Sequence, residues 1–212
     1  MKTITYCITV NDELDELKRL YELLRIWKRP QDQILIQQDE LTNINTGSRE
    51  VQNFINDLLV SGTITFTSFP LNKDFATFKN NLSKHATGDY IFQIDADEFP
   101  RVNLIENLPS ILESNPDVDV YVVPRINTVR GLTSDHITKW RWNVNEKGYI
   151  NFPDYQMRIY KNNGDIKWKN KVHEVLDGYK RYALLPTDGE YCLYHPKTIK
   201  KQEKQNNFYD TI

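Results

Sequence analysis

The sequence predicts an α/β protein with a mostly parallel central sheet flanked by helices and a smaller α+β portion following it. Three observations lead there. Short β-branched runs alternate with helical periodicities through the first hundred residues, which is the pattern of βαβ units. The run Tyr90 to Ile94 is almost wholly apolar, as a strand covered on both faces requires. Beyond Pro100 the alternation stops and short elements of both kinds follow without a fixed rhythm. At 212 residues the chain can bury one substantial core. With no repeat or flexible linker, one domain over residues 1–212 is expected, its halves 1–99 and 100–212 sharing that core.

Ile4 to Val10 reads as the first strand. Over Asp12 to Lys28, Leu14, Leu17, Leu20, Leu23, Leu24 and Trp27 recur at three- and four-residue steps, a single buried stripe that Pro30 terminates. Gln33 to Gln38 is the second strand, Glu50 to Val60 a helix, and Thr63 to Phe69 a third strand after Ser61-Gly62. Asn72 is placed to cap the next helix, which Phe75, Phe78, Leu82 and Ala86 line and Gly88 is expected to end. A helix over Leu104 to Leu112 and a strand over Val118 to Val123 come next, before a long aromatic and polar stretch with no helical period.

The balance of 27 basic and 29 acidic side chains, net charge -2, excludes a global field drawing the chain to polyanions. Its one dense basic cluster, Lys197, Lys200, Lys201 and Lys204, has the spacing of a helix face. Cys7 and Cys192 both sit in apolar runs and read as buried fillers, which fits a reducing compartment better than a disulfide framework. Nothing resembles a secretory leader, and no apolar run approaches the ~20 residues of a membrane span. The expected location is cytoplasmic.

The segment that carries chemistry is Gly88-Asp89-Tyr90-Ile91-Phe92-Gln93-Ile94-Asp95-Ala96-Asp97-Glu98-Phe99-Pro100, where an apolar strand discharges into three acids. The carboxyl ends of parallel strands are where open α/β sheets bind ligands. Asp95 and Asp97 in an extended turn can face one region, and a divalent cation would relieve their repulsion. Oxygen ligands suit Mg2+ or Mn2+. Such an ion bridges phosphates and takes up charge on a departing nucleoside diphosphate. Acids after a strand can also simply cap a turn.

This stretch resembles the Asp-x-Asp segment of family 2 glycosyltransferases with the GT-A fold. Tyr6 to Glu13 is similar to the family's opening strand and Asn-Glu turn, and Asp74 to Asn80 to its Phe-Ala-x-x-Arg-Asn helix, with Lys79 in place of arginine. Phe152 to Tyr160, Ile166-Lys167-Trp168 and Val172-His173-Glu174 are similar to the segment that closes the acceptor side. The resemblance implies that residues 1–99 bind a UDP-sugar and that 100–212, ending in the basic helix, bind the acceptor.

It further implies that Asn11, Glu13 and Asp39 lie by the nucleoside, that Lys79 and Asp95 belong to the donor site, and that Asp95 and Asp97 hold Mn2+ or Mg2+. His195 is the candidate third metal ligand, and Lys200 and Lys201, with Lys197, are placed to clamp phosphates as a lid. Glu174 is the first candidate for the general base of an inverting transfer and Asp154 the second. Solvated carboxylates or a salt bridge to Arg158 would explain both acids equally. Trp140-Arg141-Trp142 is the most aromatic run; one ring is expected buried and the other partly exposed beside the acceptor. That acceptor is either a surface glycan or, since size and Asn/Lys/Ile-rich composition also suit a phage enzyme, a hydroxymethylated base in DNA. A nucleotidyltransferase or a catalytically silent nucleotide-sugar-binding module is the alternative. Gly-rich phosphate loops of the Walker or dinucleotide type do not occur in the chain.

Overall fold

The computed structural model describes residues 1–40 and 48–209. In chain order the elements are β1 (Ile4–Val10), α1 (Leu14–Trp27), β2 (Gln33–Asp39), α2 (Arg49–Val60), β3 (Thr65–Phe69), α3 (Phe75–Ser83), β4 (Tyr90–Asp95) and β5 (Phe99–Pro100). They continue with α4 (Val102–Ser114), β6 (Val120–Arg130), α5 (Ser134–Trp140), β7 (Ile150–Lys161), β8 (Lys167–Lys169), β9 (Val175–Asp177), β10 (Tyr182–Leu184), β11 (Leu193–Thr198) and α6 (Ile199–Tyr209).

The sheet runs β3-β2-β1-β4-β7-β6-β11-β5, with β10 also on β6 and a separate β8-β9 hairpin. The first four strands are mutually parallel, while β7 pairs antiparallel to both β4 and β6, so the sheet is mixed from there on. Every residue of β1 is buried because both faces are covered. Tyr6 and Ile8 pack under Leu17, Leu20 and Leu24 of α1, Val51 and Ile55 of α2, and Leu104 and Leu108 of α4. Cys7 packs on the other face with Leu82 of α3 and with Trp168 and Leu176 of the hairpin. Both cysteines are free and buried. Among the described residues no helix is long and apolar enough to cross a membrane.

Local chemistry corrects three expectations. Asp74, not Asn72, caps α3: its carboxylate accepts from the Thr77 backbone N–H at 2.9 Å, whereas Asn72 and Lys73 form a left-handed turn with φ of 45° and 58°. Gly88 does not end that helix, which stops at Ser83. Its role is close approach, since a Cβ there would lie 2.7 Å from the Thr5 nitrogen and 2.8 Å from the Ile4 carbonyl carbon. The strand expected to stop at Val123 runs on to Arg130. Its polar residues Arg125 and Asn127 face other protein groups rather than water.

Candidate active site

The parallel strands β1, β2 and β4 end on one edge of the sheet. In register Thr9 stands opposite Asp95, and its hydroxyl donates to Asp95 Oδ1 at 2.7 Å. The turn after β4 closes on itself: Glu98 N–H donates to the Asp95 carbonyl at 2.8 Å, and Asp95 N–H to Glu98 Oε2 at 3.2 Å. Three carboxylates within four residues would repel one another, and each is answered by a different set of cations.

Asp95 meets Lys79 Nζ of α3 at 3.4 Å and Arg158 of β7 at 3.0 Å. Burial pushes its pKa up, but Lys79, Arg158 and the Thr9 hydroxyl outweigh burial and hold it well below the usual carboxylate range. Glu98 is fully buried, and Oε1 accepts from Arg158 at 2.7 Å and Arg125 at 2.8 Å. Its pKa is likewise depressed, the two guanidiniums overcoming desolvation. Asp97 lies 3.3 Å from both His195 Nε2 of β11 and Lys201 Nζ of α6. Here too desolvation is overcome, chiefly by His195 with Lys197 and Lys201.

These contacts join into a part-buried chain that leaves the turn and returns to it: Asp95, Arg158, Glu98, Arg125, Asp154, Asn127, His195, Asp97. Asp154 Oδ2 accepts from Asn127 Nδ2 at 2.8 Å. The other end of that amide, Oδ1, therefore faces His195 Nδ1 at 2.7 Å. An amide oxygen only accepts, so this network puts a proton on Nδ1 and leaves Nε2 as the nitrogen that meets Asp97, donating to it when the ring is charged and open to a ligand when the ring is neutral. Burial lowers the His195 pKa, with Asp97 pulling the other way. With the ring neutral, Nε2 and the Asp97 carboxylate present two ligand atoms that a shared cation would satisfy.

The structure brings together most of the residues singled out from the sequence, with revisions. Asp97 and His195 meet, but Asp95 does not join them, because its oxygens are taken by Thr9, Lys79 and Arg158. Among the described residues no three His, Cys, Asp or Glu side chains gather around one ready-made metal position. Lys201 reaches Asp97, and Lys197 is buried nearby, whereas Lys200 points outward and is exposed. Glu174 Oε1 accepts from Lys79 at 2.5 Å, and Lys79 also lies over the Trp168 ring. Lys79 thus ties Glu174 to Asp95 directly.

Asp154, the second candidate base, is fully engaged: Oδ2 takes Arg125 and Asn127, and Oδ1 takes Gln156 at 2.7 Å. Arg125 leads Asn127 and Gln156 in overcoming desolvation, so its pKa is depressed. The salt bridge to Arg158, weighed as an alternative explanation for this acid, is not the one it makes; its partner is Arg125. Glu13 Oε2 accepts from Asn11 N–H at 2.9 Å, and burial raises the Glu13 pKa. Asp39 stands at the end of β2 and accepts from Leu71 N–H at 2.9 Å; burial raises its pKa as well. Trp140 and Trp142 are both half-buried, so neither ring is the core residue expected.

Sequence reasoning missed Arg125 and Asn127 as site residues. The signal was an arginine and an amide two apart, on one face of a strand that opens with the apolar run Val120 to Val123.

No curated protein sequence matches the chain. Among solved structures, S. aureus TarS 1-349 superposes with a TM-score of 0.62 at 12% identity, covering 92% of this chain and 60% of that one. The same TarS fragment in complex with UDP-GlcNAc gives 0.60 at 15% identity, covering 93% and 59%. The chain therefore spans about three fifths of the TarS chains it matches, and at these identities the likeness is one of fold. The model of glycosyl transferase family 2 matches residues 7–173, most of the chain, and the protein belongs to that family.

Proposed function

We propose that the chain is an inverting glycosyltransferase that moves a sugar from a UDP-sugar to a hydroxyl acceptor, assisted by Mn2+ or Mg2+. The observation that carries this reading is the convergence of Asp97, His195 and Lys201 at the carboxyl end of β4. UDP-GlcNAc in the TarS complex, on the same fold, supports the choice of donor class.

Asp97 and, with its ring neutral, His195 Nε2 would hold the cation. One or two carboxylates plus substrate phosphates is the usual manner for Mg2+. The ion supplies charge neutralisation to the departing UDP. Lys201, and Lys197 behind it, add positive charge on the same side. Asn11, Glu13 and Asp39 line the ends of β1 and β2, where the nucleoside would lie. In the transfer, the acceptor oxygen bonds to the anomeric carbon as that carbon's bond to the β-phosphate oxygen breaks. The acceptor proton passes to a carboxylate.

Glu174 is the better base of the two considered. Lys79 engages only its Oε1, and among the described residues nothing donates to Oε2. Asp154, by contrast, accepts on both oxygens, from Arg125 and Asn127 on Oδ2 and from Gln156 on Oδ1. Lys79 would hold Asp95 and Glu174 at a fixed spacing, a positioning task its burial suits.

The test is thermal stabilisation by UDP with and without Mn2+, on wild type and Asp97→Asn. Wild type should gain stability from UDP chiefly when Mn2+ is present, and the variant should lose that gain while folding normally. Equal stabilisation of both proteins would remove Asp97 from the donor site.

A further inference from the structure

Two acceptors compete for the one proton of the neutral His195 ring: Asn127 Oδ1 lies 2.7 Å from Nδ1, and Asp97 Oδ2 lies 3.3 Å from Nε2. A carboxylate is the stronger acceptor by charge. Asp97 left to itself would therefore draw the proton to Nε2 and close that nitrogen to a ligand. We infer that Asn127 is a positioning residue: its amide, oriented by Asp154, holds the proton on Nδ1 and keeps Nε2 open on the side of Asp97. The inference rests on the metal-assisted reading above and adds to it the groups that would make His195 a ligand.

Strand geometry places the amide. Asn127 of β6 and His195 of β11 are register partners on adjacent parallel strands. On its other side β6 pairs with β7, and that register shifts between Arg125 and Asn127, an irregularity of the kind that re-aims side chains beside sites. Arg125 and Asn127 both donate to one oxygen of β7, Asp154 Oδ2, at 2.7 and 2.8 Å. The amide thus stands between a carboxylate on one strand and an imidazole on another.

Asp154 decides which way that amide faces. An ionised carboxylate only accepts, and Asp154 is paired with Arg125. A flipped Asn127 would set a carbonyl oxygen 2.8 Å from Asp154 Oδ2, two acceptors with no proton between them. Nδ2 therefore faces Asp154, and Oδ1 faces His195. Distance then settles the competition for the ring proton. A separation of 2.7 Å is a short N–H···O bond, whereas 3.3 Å lies just outside the usual range of about 2.7–3.2 Å. Asp97 does not depend on the ring either, since Lys201 Nζ also stands 3.3 Å from it. Among the described residues no donor other than His195 reaches Asn127 Oδ1. Moving the proton to Nε2 would leave that oxygen opposite a bare nitrogen, which costs more than Asp97 would gain.

Nitrogen-15 NMR of the imidazoles in the full chain tests this before any metal is added. The protein has four histidines, and the signals lost in His195→Gln assign the ring. At about pH 8, where an ordinary imidazole is neutral, wild type should show a protonated Nδ1 and a bare Nε2. In Asn127→Leu the proton should move to Nε2, facing Asp97. Mn2+ affinity in the presence of UDP, read from the electron paramagnetic resonance of free Mn2+, should fall about tenfold or more in Asn127→Leu, the scale for groups that orient a metal-bound imidazole. A wild-type ring with its proton on Nε2 overturns the inference, and that measurement needs no variant. So does an affinity that falls in Asn127→Leu while the proton stays on Nδ1, the mark of a merely structural effect. A proton that moves with Mn2+ affinity intact overturns it too. Absence of Mn2+ binding in wild type, with Nδ1 protonated, would instead sink the metal-assisted reading.

Discussion

Arg158 is the cation whose removal the site should tolerate least. Around the β4 turn, Asp95, Glu98, Asp154 and Glu174 are matched by only Lys79, Arg125 and Arg158, three cations for four carboxylates. Arg158→Met leaves two. Glu98, with no exposed surface, would keep only Arg125, and Asp95 would keep only Lys79 at 3.4 Å. Breaking a buried pair by removing one partner costs about 3–5 kcal/mol. Because each carboxylate retains one partner, the lower end, about 3 kcal/mol, is expected. With a urea m-value of about 2 kcal/mol/M, that lowers the unfolding midpoint by about 1.5 M.

Urea titration followed by circular dichroism measures this directly. Arg181→Met, which removes an exposed pair with Asp117, is the control and should leave the midpoint unchanged. Adding Glu98→Gln to Arg158→Met should recover part of the loss, since it removes the charge left uncompensated. A midpoint for Arg158→Met indistinguishable from the control, or a double variant less stable than either single one, would refute the account of this network.

Three further outcomes follow from the geometry. Gly88→Ala should destabilise by about 1–3 kcal/mol, because the added methyl meets backbone that cannot swing aside; an unchanged Tm would contradict the packing of that loop on β1. Lys201→Ala should weaken UDP binding in calorimetry about tenfold, the lower range for a charge-assisted hydrogen bond, while exposed Lys200→Ala stays within about twofold; equal losses would remove the distinction between them. Acid should unfold the protein early. Asp95, Asp97, Glu98 and Asp154 all have folded pKa values below their ordinary ones, so their stabilisation is complete above the unfolded values near about 4. It is lost as pH falls through the folded values; Glu13 and Asp39, raised by burial, oppose this in part. Urea stability that stays flat from neutral pH down to about pH 3 would overturn that sign.

The first half was readable in the sequence because burial on both faces leaves an unmistakable imprint. β1 lies where its apolar run lies, and α1, α2 and β2 differ from expectation by a residue or two. Errors occurred where a side chain's partner is distant in sequence. The polar residues that disguise the outer half of β6 are satisfied by Glu98 and Asp154, so its alternation looked like loop. Gly88 looked like a helix terminator because nothing local announces that β1 passes beneath it. For the candidate site, Asp95, Asp97, Lys79, Glu174 and His195 were singled out from residue type and family resemblance, and the structure brings Lys79 to Asp95 and Glu174 and His195 to Asp97. Their division of labour was not, because that depends on which cation reaches which oxygen.

That division bears on where a cation enters. Asp95 and Glu98 each accept two buried cationic partners from α3, β6 or β7 and are already compensated. Asp97 faces a ring whose pKa burial has lowered and a lysine shared with Glu16 at 3.3 Å. Of the three acids it alone is answered partly by groups at the start of the C-terminal helix rather than by the sheet and α3. A divalent ion arriving with a diphosphate would thus displace the fewest existing contacts at Asp97. Competing for Asp95 would mean breaking two interactions with buried cations, each costly to strand without a partner. On this reasoning the first aspartate of the pair shapes the turn and anchors Lys79 and Arg158, while the second is the one a ligand would meet.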